Sequence, residues 1–264
     1  MSDVPDAAQA HLLGLRLDLL SLEDTMARIV EACEGRRKPI QIATVNLNFL
    51  TLARKSPRLR EVINRAGLVT VDGRIILWLT RLLGKPAPEQ ITGHDLFRDC
   101  VALAARRNYR IFLLGAGPGV AADVAERLQR DFPGLQVMGT DHGRFDADGR
   151  AERPEELVAQ IRAFAPQLLF VSLGCPKQEL WIAANLDKLD VPMAVGVGCV
   201  LDVVSGQMGR APRWMQVAGL ESLYQLLTEP KRYARRYLRD DPPTLYLVLR
   251  DALGQRRARQ TPTG

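Results

Sequence analysis

The amino-acid sequence predicts an α/β fold in which a mainly parallel sheet is flanked by helices. Such alternation of strands and helices is typical of consecutive βαβ units, which form parallel sheets covered on both faces. From about Met208 onward, helical segments follow one another without a strand, which predicts a core domain over residues 1–207 and a C-terminal helical appendage over residues 208–264. The apolar runs that alternate with segments of helical period lie at residues 39–45, 67–73, 110–117, 135–140, 167–174 and 191–198.

Local signals predict where several helices begin and end. Ser21 followed three residues later by Asp24 is typical of a helix N-terminus, and Gly35 is a candidate end for the same helix. In the appendage, Pro230 and the run Asp241-Pro242-Pro243 predict breaks, because proline has no amide hydrogen to continue a helix.

The composition is that of a folded chain with a sizeable core. The 264 residues are 47% hydrophobic and 25% charged. The four cysteines lack the spacing of a zinc site or a disulfide framework, which favours free thiols in a reducing compartment. The N-terminus lacks the pattern of a signal peptide, and no apolar run approaches the ~18 residues that span a bilayer. We therefore expect a cytoplasmic protein.

The net charge of +6 lies entirely in the C-terminal part of the chain. Residues 205–264 contain 11 Lys and Arg and 5 Asp and Glu, whereas the remaining residues contain 25 of each class. A neutral body with a basic end indicates an anionic partner, and a solvated tail is the alternative. We expect no nucleic-acid partner, because no base-reading motif accompanies the arginines.

Polar residues that follow the predicted strands are the first candidates for a binding site. In open parallel sheets, ligands bind outside the carboxyl ends of the strands. Taken singly, a helix cap at Asn46 or a plain turn at Asp72 explains the sequence equally well. The rule selects Thr44, Asn46, Asn48, Asp72, Gly115 to Gly119, Lys177, Gln178 and Asp202.

The glycine-rich loop GAGPG, residues 115–119, offers an alternative function. Gly115 and Gly117 would let the backbone approach a phosphate, and Asp141 follows the next run as a ribose-binding acid would. This pattern is compatible with an NAD(P)-dependent oxidoreductase. The spacing G-x-G-x-G departs from the dinucleotide fingerprint G-x-G-x-x-G, however, and a single glycine-rich turn has low specificity.

Eight motifs occur in a recognisable order over most of the chain. They are TVNLNF (44–49), VDG (71–73), ITGHDLF (91–97), IFLLGAGPGV (111–120), GCPKQELW (174–181), GVG (196–198), GRAPRW (209–214) and EPKRYARRYL (229–238). In these motifs the chain resembles the WecG/TagA/CpsF family of bacterial glycosyltransferases, from about Leu12 to Arg239.

The resemblance implies a fold, a reaction and partners. The fold would be the Rossmann-like core called GT-E, with an appendage that closes over the site at the membrane. The reaction would transfer a hexose or N-acetylhexosamine from a UDP-sugar donor to a polyprenyl-diphosphate-linked sugar acceptor, with anomeric inversion and without a metal or other cofactor. It would take place on the inner face of the cytoplasmic membrane in surface-polysaccharide biosynthesis, and homo-oligomer formation stays open.

The resemblance also implies roles for individual residues. Displacement at an anomeric carbon needs a base for the acceptor hydroxyl, and Asp72 matches the family's proposed catalytic aspartate. The family's pattern places Thr44, Asn46 and Gln178 in the substrate pocket. Asp202 matches the position expected to hold the uracil edge.

The departing diphosphate needs positive charge, and we expect arginines to supply it. Asp146-Ala147-Asp148, the nearest match to a metal-binding Asp-x-Asp pair, is better interpreted as a turn. By resemblance, Arg232 and Arg235 match appendage arginines that meet the donor diphosphate, and a solvent-facing charged helix is the alternative. Their helix carries four arginines on or near one face: Arg232, Arg235, Arg236 and Arg239.

The stretch LGCPKQELW is interpreted as the entry to a helix. Pro176 suits a first helical turn, and Gln178 has both a donor and an acceptor with which to orient a sugar hydroxyl. Lys177 either adds positive potential or points to solvent. Glu179 is expected as a first-turn acid favoured by the helix dipole, and Trp181 as a packing residue.

Departures from the family pattern leave the donor sugar open. Gln90 and Gln225 stand where the family often has arginine, and Cys199-Val200-Leu201 replaces the usual glycine and phenylalanine near Asp202. The tail, residues 244–253 followed by arginines up to Arg259, predicts peripheral membrane binding. A helix that packs on the core is the alternative for this tail.

Overall fold

The structure is a computed structural model that describes residues 4–140, 144–209, 211–212, 214–215 and 221–260. An antiparallel hairpin, β1 and β2, precedes six strands that form one all-parallel sheet. The predicted α/β fold class is therefore confirmed, and each predicted apolar run contains one strand of the sheet. In chain order the strands are β1 Gln9–Leu12, β2 Leu15–Asp18, β3 Ile40–Val45, β4 Leu68–Val71, β5 Ile111–Gly115, β6 Val137–Thr140, β7 Leu168–Ser172 and β8 Met193–Gly196.

Twelve α-helices are described, and local sequence explains several of their ends. Ser21 caps the first helix by accepting a hydrogen bond from the amide of Asp24 (3.0 Å), as predicted. Thr92 and Asp95 form a reciprocal capping box at the start of the fifth helix. The helices are α1 Leu22–Cys33, α2 Leu47–Lys55, α3 Pro57–Arg65, α4 Arg74–Leu82, α5 Gly93–Arg107, α6 Val120–Asp131, α7 Pro154–Phe164, α8 Lys177–Leu189, α9 Val200–Ser205, α10 Glu221–Thr228, α11 Pro230–Arg235 and α12 Asp241–Gln260.

The helices cover both faces of the sheet, whose strand order is β4-β3-β8-β7-β5-β6. Side chains of α1, α5, α6 and α9 pack on one face, with Ile42 and Val195 among the strand residues they cover. Side chains of α2, α3 and α4, and those of α7 and α8, pack on the other face. Because both faces are covered, the four inner strands β3, β8, β7 and β5 are almost wholly buried and mostly apolar.

Neighbouring strands β3 and β8 send the chain to opposite faces of the sheet. The helix after β3, α2, packs on one face, whereas the helix after β8, α9, packs on the other. Such a change of face opens a crevice outside the carboxyl ends of the two strands, which is where ligands bind in open α/β sheets. The neighbouring pairs β8 and β7, and β7 and β5, change face in the same way, because α8 packs on the face opposite α9 and α6. The fold therefore offers a binding crevice between the residues after Val45 and those after Gly196, and the residues predicted from the sequence select it among these pairs.

The appendage helices depart from one of the predicted breaks. The break at Pro230 is confirmed, because α11 begins there with proline in its first turn. At Asp241 the chain stays helical, because a π-helical segment, Arg236–Asp240, leads directly into α12. Pro242 and Pro243 lie in the first turn of α12, where their missing amide hydrogens cost little.

The last helix, α12, packs on the core through one face. Thr244, Val248 and Ala252, spaced four residues apart, are fully buried on the side of α2 and α4. Asp251 Oδ2 accepts a hydrogen bond from the amide of Leu13 (3.0 Å), and Asp241 Oδ1 accepts one from Thr51 Oγ1 (2.8 Å). The inner face of α12 is therefore part of the hydrophobic core, as the core-packing alternative for the tail supposed.

Replacement of Val248 by Asp should destabilise the whole chain. The new carboxylate would lie without a partner in a fully buried position, which costs several kcal/mol. Tyr246→Asp, on the exposed side of the same helix, is the matched control and should change the free energy of unfolding by less than about 0.5 kcal/mol. Chemical denaturation measures both variants, and equal stability of the two would contradict the packing of α12 on the core.

Candidate active site

Asn46 and Asp72 lie side by side at the carboxyl ends of β3 and β4. Asn46 caps α2 through Oδ1, which accepts from the amide of Asn48 (3.1 Å), and its Nδ2 donates to Asp72 Oδ2 (3.3 Å). The amide of Asp72 donates to the carbonyl oxygen of Val45 (2.9 Å). Gly73 has a φ of +90°, a conformation that suits glycine, and turns the chain into α4. The half-buried carboxyl of Asp72 is thus held beside the crevice.

Thr44 lies within the strand rather than after it. It is buried, and it pairs in register with Thr70 of β4. Thr44 is therefore the last residue but one of β3, two residues before Asn46, and its pocket role stays a prediction.

The loop after β8 forms the other side of the crevice. Ser172 Oγ donates to the carbonyl oxygen of Gly198, and the amide of Gly198 donates to Gln178 Oε1 (3.0 Å). Two residues later α9 begins, and Asp202 lies in its first turn, half-buried. The predicted pocket glutamine is therefore bonded to the loop that leads, four residues after Gly198, to the predicted uracil-contacting residue.

Gln178 is buried, with only 2% of its surface exposed. Its Oε1 accepts from the amides of Gly174 (3.1 Å) and Gly198 (3.0 Å), so it ties the loop after β7 to the loop after β8. The side chain lies directly over Gly196, where an added Cβ would come within 2.6 Å of Cδ of Gln178. The structure gives this amide a structural task, and its predicted contact with a sugar hydroxyl stays a prediction.

Glu179 is in the first turn of α8, as predicted, but the sequence did not indicate its burial. It is 1% exposed, and its Oε1 accepts from Gln178 Nε2 (2.7 Å). Its backbone oxygen accepts from Gln41 Nε2 of β3 (3.0 Å). Burial raises the pKa of Glu179 to about 7, against the opposing effect of hydrogen bonds from Gln178 and Cys175. A carboxyl group that titrates near neutrality thus lies directly behind the crevice.

The other residues of this helix entry behave as packing and bridging groups. Trp181 is buried against Phe145, with ring centroids 6.5 Å apart, which confirms the predicted packing role. Lys177 Nζ donates to the carbonyl oxygen of Phe145 (3.1 Å). The loop that contains Asp146 is therefore held against α8. Asp146 Oδ1 accepts from the amide of Arg150 (2.8 Å), as expected of a turn.

The GAGPG turn lies away from the crevice. Its strand, β5, is separated from β8 by β7, which corresponds to about 10 Å at the usual strand spacing. Gly115 has a φ of +93°, and a Cβ there would lie 2.8 Å from the carbonyl oxygen of Ser172. Close packing against β7 therefore explains this glycine. Gly117 lies in the same turn, its substrate role stays a prediction, and Asp141 lies outside the described residues.

The appendage arginines are held to different degrees. The side chain of Arg232 lies outside the described part of the structure. Arg235 is exposed, with its Nε 3.6 Å from Asp240 Oδ2. Arg236 is held more firmly: its Nε lies 3.4 Å from Asp241 Oδ2, and its guanidinium stacks 4.8 Å from the Tyr237 ring.

Arg236 is tied to the body through Asp241, which also accepts a hydrogen bond from Thr51 of α2. Burial raises the pKa of the Cys175 thiol, and the positive charge of Arg236 opposes that rise. In the sequence Arg236 shares the spacing of its neighbours, and no local signal distinguished it as the arginine fixed to the body.

The two glutamines that the resemblance sets in place of arginines, Gln90 and Gln225, have different surroundings. Gln225 Oε1 accepts a hydrogen bond from Tyr237 Oη inside the appendage. Gln90 is half-buried directly before Ile91, whose amide donates to the carbonyl oxygen of Val71 (2.8 Å). Gln90 is therefore near the end of β4, whereas Gln225 is already bonded within the appendage.

The chain is similar to known bacterial glycosyl transferases. The model of the glycosyl transferase WecG/TagA/CpsF family matches residues 10–258. A protein of Bacillus spizizenii, named N-acetylglucosaminyldiphosphoundecaprenol N-acetyl-beta-D-mannosaminyltransferase, is 35% identical over 194 residues, which are 74% of this chain and 73% of that protein. A Staphylococcus aureus protein of the same name is 28% identical over 248 residues, which are 92% of this chain and 93% of that protein.

The buried carboxyl of Glu179 should make stability depend on pH. Its pKa is about 7 in the folded chain against an ordinary value of 4.5, so the folded chain keeps a proton that the unfolded chain loses. The free energy of unfolding should therefore fall as pH rises from about 4.5 to about 7, by roughly 3 kcal/mol, and then level off.

Glu179→Gln is the matched variant for this prediction, because it keeps an acceptor for Gln178 and cannot ionise. Chemical denaturation at pH 5 and pH 8 should show that wild type loses stability relative to this variant as pH rises. A stability difference that is the same at both pH values would contradict the burial of an ionisable carboxyl.

Proposed function

Because the chain belongs to the glycosyl transferase WecG/TagA/CpsF family, we propose that it is an inverting, metal-independent enzyme acting on a lipid-linked acceptor. It would move an N-acetylhexosamine from a UDP-sugar to a polyprenyl-diphosphate-linked sugar in surface-polysaccharide biosynthesis. Family membership decides between glycosyl transfer and the oxidoreductase alternative, in favour of the former.

The names of the relatives support a particular pair of substrates. Both relatives are named for transfer of N-acetylmannosamine to N-acetylglucosaminyldiphosphoundecaprenol. We therefore take UDP-N-acetylmannosamine as the first donor to test and undecaprenyl-diphosphate-linked N-acetylglucosamine as the first acceptor. The glutamines at positions 90 and 225 make other UDP-hexoses the next donors to test.

The hydrogen bond between Asn46 and Asp72 is the observation that carries the proposed chemistry. Asp72 would take the proton from the acceptor hydroxyl. The oxygen of that hydroxyl would attack the anomeric carbon of the donor sugar while the bond from this carbon to the UDP oxygen breaks. A single displacement from the opposite side inverts the anomeric configuration. Asn46 Nδ2 would hold the carboxylate in the orientation that the reaction needs, because its own Oδ1 is fixed by the cap of α2.

The departing UDP would occupy the other side of the crevice. In this arrangement the uracil lies against the start of α9 near Asp202, and the diphosphate points towards the appendage. Arginine guanidinium groups suit diphosphate oxygens because they donate two parallel hydrogen bonds. Arg232 and Arg235 remain the proposed contacts, and Arg236 is a third candidate because it is already fixed beside the body.

We propose that the enzyme binds the membrane surface peripherally. Among the described helices, none combines the length and the apolar character that crossing a bilayer requires. Large apolar side chains are exposed instead: Ile75 and Trp78 on α4, and Tyr246 and Leu253 on α12, the helix that packs beside it. Since α4 begins two residues after Asp72, a bilayer in contact with it would bring the lipid-linked acceptor to the proposed base.

Asp72→Asn should abolish most transfer and leave donor binding intact. The amide keeps the shape of the carboxyl but cannot take a proton, so the rate should fall roughly 10²- to 10⁴-fold. Product formation from UDP-N-acetylmannosamine and the lipid acceptor measures this, and NMR of the product gives the anomeric configuration. Asp187→Asn, on the exposed side of α8, is the control. A loss below about tenfold would remove Asp72 from the base role.

Substitution of Trp78 and Tyr246 by Ser should weaken membrane binding. The exposed fractions of these two side chains are 53% and 65%, so their removal changes the surface and leaves the core intact. In sedimentation with anionic liposomes, we expect the affinity to fall about tenfold. This corresponds to a loss of ~1.4 kcal/mol of binding free energy from apolar burial. Phe132→Ser, at the end of α6 on the opposite edge of the sheet, is the control. Unchanged binding of the double variant would reject this surface.

A further inference from the structure

We propose that Glu179 is a positioning residue for glycosyl transfer, which acts through Gln178 on the loop that carries α9 and Asp202. The inference rests on the proposed function, because it assigns the donor nucleotide to that loop. It goes beyond that function by naming a residue that need not touch either substrate.

The hydrogen bonds of Gln178 require an acceptor at the position of Glu179. Gln178 Oε1 is already bonded to the amides of Gly174 and Gly198, so Nε2 must face an acceptor. Glu179 Oε1 is that acceptor, at 2.7 Å. The reversed amide would place Nε2 against two N–H donors and leave all three groups unsatisfied, which is costly for buried groups.

Gly196 fixes the same amide from the side of the sheet. An added Cβ at Gly196 would lie 2.6 Å from Cδ and 2.7 Å from Cγ of Gln178. The side chain therefore occupies a slot that exists only because β8 ends in a glycine. A Cβ at residue 196 that displaces the Gln178 side chain, and removal of the acceptor at Glu179, should both disturb the hydrogen bonds between Gln178 and the two glycine amides.

The held loop leads directly to the proposed nucleotide site. Both backbone polar groups of Gly198 are hydrogen-bonded: its carbonyl oxygen accepts from Ser172 Oγ, and its amide donates to Gln178 Oε1. Its φ of +60° leaves the backbone in a conformation that few other residues adopt. If the Gly198 amide lost its hydrogen bond to Gln178, the residues that lead into α9 could move, and Asp202 with them. We therefore expect the KM for the UDP-sugar to change more than the KM for the lipid acceptor.

The surroundings of Glu179 predict a pH dependence of the same step. The ionisable groups near it are the Cys175 thiol and, through its charge on that thiol, Arg236, which is paired with Asp241. Glu179 Oε2 is buried without a nitrogen or oxygen partner among the described residues. Burial raises the pKa of this carboxyl to about 7, and the hydrogen bond from Gln178 Nε2 favours its ionised form. Ionisation above that pH should therefore strengthen the hydrogen bond that holds Gln178.

Kinetics of three variants test the inference. In Glu179→Ala the KM for the UDP-sugar should rise about tenfold while the KM for the lipid acceptor changes less than about twofold. Glu179→Gln keeps the acceptor and should restore the donor KM. In wild type the donor KM should fall as pH passes from 6.5 to 8, because the ionised carboxylate is the stronger acceptor, and in Glu179→Gln it should stay constant. Gly196→Ala should reproduce Glu179→Ala. Glu155→Ala, in the first turn of α7, and Gly254→Ala, which meets open space, are the matched controls.

A second readout does not depend on activity. In protein labelled with ¹⁵N-glycine, the amide signals of Gly174 and Gly198 report their hydrogen bonds to Gln178. Both signals should shift and exchange faster with solvent in Glu179→Ala, and both should match wild type in Glu179→Gln.

The two readouts separate the possible failures. If wild type transfers no sugar from any UDP-donor, the proposed function fails, and the glycine signals alone decide whether Glu179 positions Gln178. If wild type is active but Glu179→Ala keeps the wild-type donor KM and glycine signals, the positioning role is wrong. Failure of Glu179→Gln to restore either readout would also overturn it, because the acceptor would then not be the property that matters.

Discussion

The site depends on one constraint of the fold: adjacent parallel strands, β3 and β8, release the chain to opposite faces of the sheet. The backbone groups and side chains that follow these strands therefore face each other across a crevice and cannot be covered by a helix from either strand. On one side are Asn46 and, from the next strand, Asp72. On the other side is the loop that leads through Gly198 to Asp202. A substrate with a nucleotide at one end and a reacting sugar at the other suits this division.

A buried polar network stabilises the crevice from behind. Gln178 ties together the loops after β7 and β8, and Glu179 satisfies the end of its amide that faces away from them. A fully buried glutamate is costly for stability unless it stays neutral or is well bonded. Its presence beside the crevice therefore indicates a task in placing the loops. Arg236 of the appendage is fixed by Asp241, which is itself bonded to Thr51 of α2.

The apolar runs in the sequence were sufficient to predict the sheet, because a strand that is buried on both faces consists of consecutive apolar residues. It did not predict the β1–β2 hairpin, whose turn uses Leu13 and Gly14 at positive φ, a sequence without the usual turn signal. At the site, the rule for carboxyl ends of strands brought out Asn46 and Asp72, which the structure places in contact. The inward direction of Gln178 was not predictable, because it depends on the missing Cβ of Gly196, distant in sequence. The role of Arg236 likewise depends on a tertiary contact.

A crystal structure with UDP bound tests the central claim most directly. If one crevice holds both the donor and the base, the uracil will lie against the loop from Gly198 to Asp202. The diphosphate will lie over the gap between β3 and β8, with its outer phosphate directed towards Asp72. UDP bound at the Gly115 to Gly119 turn, or seated so that no single hexose could reach from its phosphate to the Asp72 carboxyl, would contradict the account.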